Sequence, residues 1–302
     1  MRNKNLTSRK EFIREITLIA GGAIISAGLT GSCKSVPGSK IKLGLVTYLW
    51  AKDWDIPTII KNCTATQLYG VELREQHAHG VGIELPADKR KEVKLLFEDS
   101  PVKLVGLGTN QQYDYLDPQQ LKESIEKTKN WIKLSQDIGS TGVKVKPNEF
   151  HPEVPKEKTI EQIGKSLNEL GRFAMDSGQQ LRLEVHGDET SLLPNIKAMM
   201  DYVDNPGVKV CWNSNPTDLE GMGLTYNFNL VKDKLGDTVH VRELNDKNYP
   251  FQELMNLFVG IDYEGWMLLE CSSNPDDKVA ALIEQRLLWK GMIANARSKM
   301  KG

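Results

Sequence analysis

Leu181-Arg182-Leu183-Glu184-Val185-His186 alternates aliphatic and ionisable side chains one residue at a time. Successive residues of a strand point to opposite faces, so this stretch reads as a strand with one apolar face and one charged face. The same parity recurs elsewhere. Val143 and Val145 alternate with Lys144 and Lys146, Val239 and Val241 with His240 and Arg242, and Met267 and Leu269 with Leu268 and Glu270. Charged groups turned inward are costly unless they are paired or hold an ion. Four strands divided in this way predict an apolar layer under helices and a polar centre at the strands' C-terminal ends.

Working outward, eight short aliphatic or β-branched runs read as strands: 41–50, 71–75, 102–108, 142–146, 181–186, 208–213, 239–244 and 266–271. Segments of helical period follow them at 56–66, 87–97, 118–138, 159–177, 193–203, 223–235, 251–259 and 275–296. Gly139, Gly178 and Gly236 stand just past helical runs, where a left-handed C-cap is expected. Eight strands alternating with eight helices predict an α/β fold with a parallel sheet, closed as a single (β/α)8 TIM barrel. The rival, an open doubly wound sheet, lacks the glycine-rich phosphate loop that would follow its first strand.

The 302-residue length suits one such barrel without a second core. With 26% charged and 39% hydrophobic residues the composition is that of a soluble globular protein, and a net charge of −1 provides no broad basic field for nucleic acid. Residues 1–33 read as an export signal: Arg2, Lys4, Arg9, Lys10 and Arg14 precede an apolar stretch too short and glycine-rich to span a membrane. The run from Ser8 to Arg14 resembles a twin-arginine signal with Lys10 in place of the second arginine. Leu29-Thr30-Gly31-Ser32-Cys33 resembles a relaxed lipobox, so the expected location is periplasmic with membrane attachment through a lipidated Cys33. Residues 34–40 form a Pro/Gly/Ser linker, and the barrel occupies 41–302. Cys63, Cys211 and Cys271 are widely spaced among apolar residues and read as buried free thiols.

Late in four consecutive strands stand Glu184, Asn213, His240 and Glu270. Taken singly, each is an ordinary hydrogen-bonding or ion-pair residue. Together, two carboxylates, an imidazole and an amide oxygen form a donor set for one divalent cation. The histidine favours Zn, Mn or Co over Mg.

These residues also carry a family resemblance. Gly70-Val71-Glu72-Leu73-Arg74, His77-Ala78-His79-Gly80, Leu183-Glu184-Val185-His186-Gly187, Cys211-Trp212-Asn213-Ser214-Asn215-Pro216 and Gly265-Trp266 before Glu270 are similar to xylose isomerase-like barrels, the sugar phosphate isomerase/epimerase group whose superfamily also holds endonuclease IV nucleases. The resemblance spans 41 to about 297. It implies metal ligands Glu184, Asn213, His240 and Glu270, with Asn213 standing where the family usually has Asp. A neutral amide leaves two carboxylates around the ion instead of three.

The chemistry these groups suggest is enolisation, with the cation polarising a sugar carbonyl while Glu184 or Glu270 removes the neighbouring proton and the other returns one. Lys146 is a candidate for stabilising the enediolate oxygen, or for a lumen salt bridge to Glu184 or Glu72. His77, His79, His186 and Glu72 are candidate substrate-binding groups, and Trp50, Tyr48 and Trp212 candidate flat faces for a sugar ring. Isomerisation, epimerisation, and elimination or hydration of a 3-keto-glycoside all share the enolate step. Sugar phosphates are largely cytoplasmic, so an exported enzyme points to an unphosphorylated or keto sugar. A repair nuclease needs more zinc ligands than five histidines provide, whereas a degenerate sugar-binding barrel remains a competing reading because of Asn213.

Overall fold

A computed structural model of the protein describes residues 40–300. The export signal and Cys33 lie outside the described residues. Eight parallel strands, β1 Lys42–Val46, β2 Gly70–Arg74, β3 Lys103–Gly108, β4 Gly142–Val145, β5 Gln180–Glu184, β6 Val208–Cys211, β7 Thr238–Val241 and β8 Trp266–Leu269, stand in the order β6-β5-β4-β3-β2-β1-β8-β7. The two ends of this order meet through parallel bridges between Val210 and Leu235 and between Asn213 and His240. Backbone hydrogen bonds complete the seam, Gly236 N–H to Val210 O at 2.9 Å and His240 N–H to Trp212 O at 2.7 Å. The fold is the expected (β/α)8 TIM barrel.

The helices are α1 Ile56–Thr66, α2 Ala87–Glu98, α3 Pro118–Asp137, α4 Lys156–Asp176, α5 Leu193–Met200, α6 Leu224–Val231, α7 Phe251–Gly260 and α8 Lys278–Met300. Their starts follow local chemistry. Asp55 caps α1 by accepting from Thr58 N–H at 2.9 Å, and Asp117 caps α3 through Gln119 N–H at 2.8 Å, each with a proline in the first turn. Among the described residues, no helix is long and apolar enough to cross a membrane.

Several boundaries differ from the sequence reading. The strands are shorter, so Lys146, His186, Asn213, Arg242 and Glu270 stand just past their strands, in the loops that form the barrel mouth. The segment 223–235 divides into α6 and a separate 3-10 turn Lys232–Lys234. Gly139 and Gly178 adopt φ of +75° and +65°, as a left-handed cap requires. Gly236 does not; its amide is drawn into the seam between β6 and β7 instead.

Strand parity holds as expected. Val143, Val145, Leu181, Leu183, Val239, Val241, Met267 and Leu269 are buried in the apolar layer. Of the polar set, Lys144, Arg182, Glu184, His240 and Glu270 are buried as well, while Lys146 and His186 are half-buried and Arg242 is exposed. Arg182 fills the lower lumen, where its guanidinium donates to Val105 O at 2.7 Å, Thr141 Oγ1 at 2.8 Å and Thr238 Oγ1 at 3.3 Å. Glycines make the room. A Cβ on Gly142 would lie 2.9 Å from Arg182 Cζ, and one on Gly108 would lie 2.7 Å from Glu72 Oε1. The three cysteines of this region are free and buried, as expected.

Candidate active site

Glu184 ends β5, His240 lies within β7, Asn213 stands two residues past β6, and Glu270 follows β8 directly. The seam bridge between Asn213 and His240 and the bond from Glu270 N–H to Val241 O, at 2.8 Å, hold these side chains at one level of the lumen. All four are buried. His240 Nδ1 lies 3.4 Å from Glu184 Oε1 and 3.4 Å from Glu270 Oε2. Asn213 Nδ2 donates to the same two oxygens, at 3.0 Å and 3.2 Å.

Each carboxylate therefore has one inner and one outer oxygen. The inner oxygens, Glu184 Oε1 and Glu270 Oε2, face His240 and Asn213. The outer oxygens are tied to cations: Glu184 Oε2 to Lys144 Nζ at 2.7 Å, and Glu270 Oε1 to Arg74 Nη1 at 3.3 Å. Lys144 also donates to Thr109 O at 3.2 Å, and Arg74 lies over the Tyr48 ring and donates to Asn110 Oδ1 at 3.1 Å. Below, Glu72 Oε1 stands 3.2 Å from His240 Nε2.

The charges act on one another strongly. Burial opposes ionisation of Glu184, yet Lys144 and His240 hold its carboxyl well below the ordinary value. Glu270 is likewise lowered against burial, chiefly by His240. Burial disfavours the His240 imidazolium, but Cys211, Glu72 and Glu270 around it raise its pKa well above that of a free histidine.

The arrangement fits a metal ion. Both ring nitrogens of His240 and Asn213 Oδ1 are buried without a hydrogen-bond partner, although carboxylates are close. Such atoms are costly unless something binds them. Ligand atoms of Glu184, His240 and Glu270 all lie within 4.8 Å of one another. Around an ion with bonds of about 2.1 Å, tetrahedral ligand atoms stand about 3.4 Å apart, which matches both His240 distances. Two carboxylate oxygens and an imidazole suit Zn, Mn or Co.

Other expected residues divide into those near this centre and those elsewhere. Lys146 donates to Asn110 Oδ1 at 2.8 Å, not to Glu184 or Glu72; Lys144 takes the Glu184 bridge. Burial, and then Lys144, lower the Lys146 pKa to about 8. His186 is half-buried with Nδ1 unpartnered, and burial lowers its pKa. His77 is half-buried with Nδ1 3.3 Å from Thr47 Oγ1.

Four other residues expected at the substrate have these surroundings. His79 Nε2–H donates to Arg74 O at 2.7 Å while Nδ1 accepts from Val81 N–H at 3.1 Å, so both nitrogens hold the loop together. Burial brings its pKa down to about 4. Glu72 is fully buried beneath His240. Trp212 is fully buried and packs on Phe228, ring centroids 5.5 Å apart, so its face is covered by the helix layer. Trp50 is 2% exposed and donates Nε1–H to Ser273 O at 2.9 Å.

Sequence reasoning missed the roles of Arg74, Asn110 and Thr109. Arg74 shares strand parity with Glu72 and was legible on that ground. Asn110 and Thr109 stand in the loop after β3, where no periodicity marks them.

A sequence profile described as the xylose isomerase-like TIM barrel matches residues 61–289, most of the chain. The chain belongs to this family. No protein of curated function matches it significantly. Solved relatives include an L-ribulose 3-epimerase, 15% identical with a TM-score of 0.75, over 86% of this chain and 97% of that one. A 3-keto-D-glucoside 4-epimerase from E. coli is 14% identical with a TM-score of 0.68, over 84% of this chain and 99% of its own. An IOLI protein with a bound zinc atom is 13% identical with a TM-score of 0.69, over 84% and 98% respectively. At these identities the likeness establishes the fold alone.

Proposed function

We propose that this chain is a divalent-metal-dependent sugar isomerase or epimerase that works by proton abstraction next to a carbonyl, on an unphosphorylated or keto sugar. The observation that carries the reading is the pair of inner carboxylate oxygens, each 3.4 Å from His240 Nδ1, with their partner oxygens tied to the buried Lys144 and the half-buried Arg74. Glu184, Asn213, His240 and Glu270 would hold the ion. Bound there, it supplies Lewis acidity toward a carbonyl and an adjacent hydroxyl.

The chain's own groups do the rest. Glu184 and Glu270 come from different strands and approach the centre from different sides, which suits removal of a proton by one and its return by the other. Lys144 and Arg74 fix the outer oxygens, so the inner oxygens are held in place before substrate arrives. Lys146, with a pKa near 8 and anchored on Asn110, is placed to stabilise negative charge on a substrate oxygen. His186, with its unpartnered nitrogen, serves substrate hydroxyls. The export pattern in residues 1–33 supports a free sugar over a phosphorylated one, and the 3-keto-D-glucoside epimerase among the relatives supports a keto sugar.

The test is incubation of the metal-loaded protein and a Glu270→Gln variant with ketoses and 3-keto-glucosides in deuterated water. Solvent deuterium entering a single sugar carbon, and lost in the variant, is the expected result. No exchange into any of these sugars by a metal-loaded protein would leave a binding protein in place of an enzyme.

A further inference from the structure

A second group of ionisable side chains lies outside the centre just described. Asp114, in the loop after β3, faces Glu149 and His151, in the loop after β4, and ligand atoms of all three lie within 4.8 Å of one another. His151 Nε2 is 3.1 Å from Asp114 Oδ2, which also accepts from Asn148 Nδ2 at 3.0 Å. Asp114 is 2% exposed, and its second oxygen, Oδ1, is buried without a partner. Leaving a carboxylate oxygen dry and unbonded is costly. An ordinary ion pair with His151 satisfies only one of the two oxygens.

Both loops are tied to neighbouring elements by hydrogen bonds. Gln162 Nε2, from α4, donates to Tyr113 O at 2.8 Å and to Tyr115 O at 2.9 Å, clamping the chain on either side of Asp114. Thr190 Oγ1 donates to Asn148 O at 2.6 Å, fixing the residue before Glu149. Glu149 is exposed and His151 half-buried, so the cluster opens to solvent. Donor atoms about 2.1 Å from one ion stand roughly 3.0–3.4 Å apart in octahedral or tetrahedral geometry, and the His151–Asp114 separation of 3.1 Å lies inside that range.

We propose that Asp114, Glu149 and His151 form a second divalent-cation site on the rim of the barrel mouth. One imidazole and two carboxylates neutralise an M2+ ion and suit Zn2+ or Mn2+. Three protein donors leave the remaining coordination positions facing solvent, where water or the vicinal hydroxyls of a carbohydrate bind. The loop that supplies Asp114 also supplies Asn110 to Lys146 and Arg74, so the rim ion and the inner centre share one structural element.

The experiment strips the full chain with chelator, dialyses it against Zn2+ or Mn2+ alone, and counts bound ions by mass spectrometry. The wild type is expected to hold two ions per chain. The Asp114→Asn/His151→Ala variant is expected to hold one, and His240→Ala to keep the rim ion. Because the double variant removes buried groups, Glu149→Gln, an exposed position, gives the independent check, with rim affinity falling at least about tenfold. A wild type that binds one ion, lost only in His240→Ala, overturns the rim site, as does retention of two ions in Glu149→Gln and in the double variant. If His240→Ala loses no ion while the rim variants do, the inner centre fails and the rim site stands.

Discussion

Lys144 Nζ and Glu184 Oε2 form a 2.7 Å ion pair inside the barrel, with neither side chain more than 1% exposed. A charge pair this deep is not a general source of stability, because the desolvation of both ions offsets much of their attraction. Removing one partner is a different matter. Lys144→Met keeps most of the side-chain volume but leaves the outer oxygen of Glu184 buried and unpaired. Stability is expected to fall by about 3–5 kcal/mol, and Lys144→Met/Glu184→Gln should recover a large part of it. Urea unfolding of the chelated protein measures both. A single variant within about 1 kcal/mol of wild type would mean that His240 and Asn213 alone carry the Glu184 charge.

Asn213 has opposite effects with and without an ion. In the described structure its amide donates to Glu184 Oε1 and Glu270 Oε2 and so holds two carboxylates near each other. Asn213→Asp replaces that donor with a third negative charge. The chelated variant is expected to melt at lower temperature than wild type, while its affinity for Zn2+ or Mn2+ rises by about tenfold, roughly 1.4 kcal/mol. Calorimetric titration and thermal melts with and without metal decide this. A variant that binds metal more weakly would place the position 213 side chain outside the donor set.

How these residues became legible shows where sequence reading ends. The two-residue period of a strand settles which side chains enter the lumen, so Lys144, Arg182, Glu184 and His240 are readable from the sequence. The same period places Trp212 with Val208 and Val210, under the helices. Loop residues have no such period. Whether His79 meets a sugar or its own backbone depends on how the turn at Arg74–Val81 closes, and only the structure shows both nitrogens taken. Asp114 is far in sequence from Glu149 and His151, and it belongs to a different loop, so no local pattern records their meeting.

Asp218 gives a pH dependence of its own. It is buried, accepts from Tyr249 OH at 2.5 Å and Asn215 N–H at 2.9 Å, and its other oxygen has no partner. Burial raises its pKa from 3.8 to about 7, against the lowering effect of those two donors. A carboxyl with a raised pKa favours the folded state while protonated. Its contribution is complete below the unfolded value and is lost as pH rises toward 7. Between about pH 4 and 7 this group alone should remove about 4 kcal/mol of stability. Asp218→Asn cannot ionise, so the difference between variant and wild type should grow in the variant's favour across that window and level off above it. Denaturant unfolding at pH 4, 5.5, 7 and 8 measures the difference, and a constant offset would show that Asp218 is ionised throughout.

Two glycines with left-handed backbone separate conformational cost from steric cost. At Gly178, φ is +65° and a Cβ would meet nothing within 4 Å. Gly178→Ala therefore suffers only the left-handed backbone penalty, about 1–2 kcal/mol. At Gly187, φ is +95° and a Cβ would lie 1.9 Å from Asn148 O, a backbone atom that cannot rotate away. Relief requires the loop bearing Glu149 and His151 to move, breaking the Thr190 bond to Asn148 O. Gly187→Ala is expected to cost about 1–3 kcal/mol more than Gly178→Ala. It should also weaken metal binding at the rim while leaving the inner ion bound. Equal stability losses in the two variants, with two ions retained in each, would mean that the loop after β4 yields freely and that its grip on Glu149 and His151 is loose.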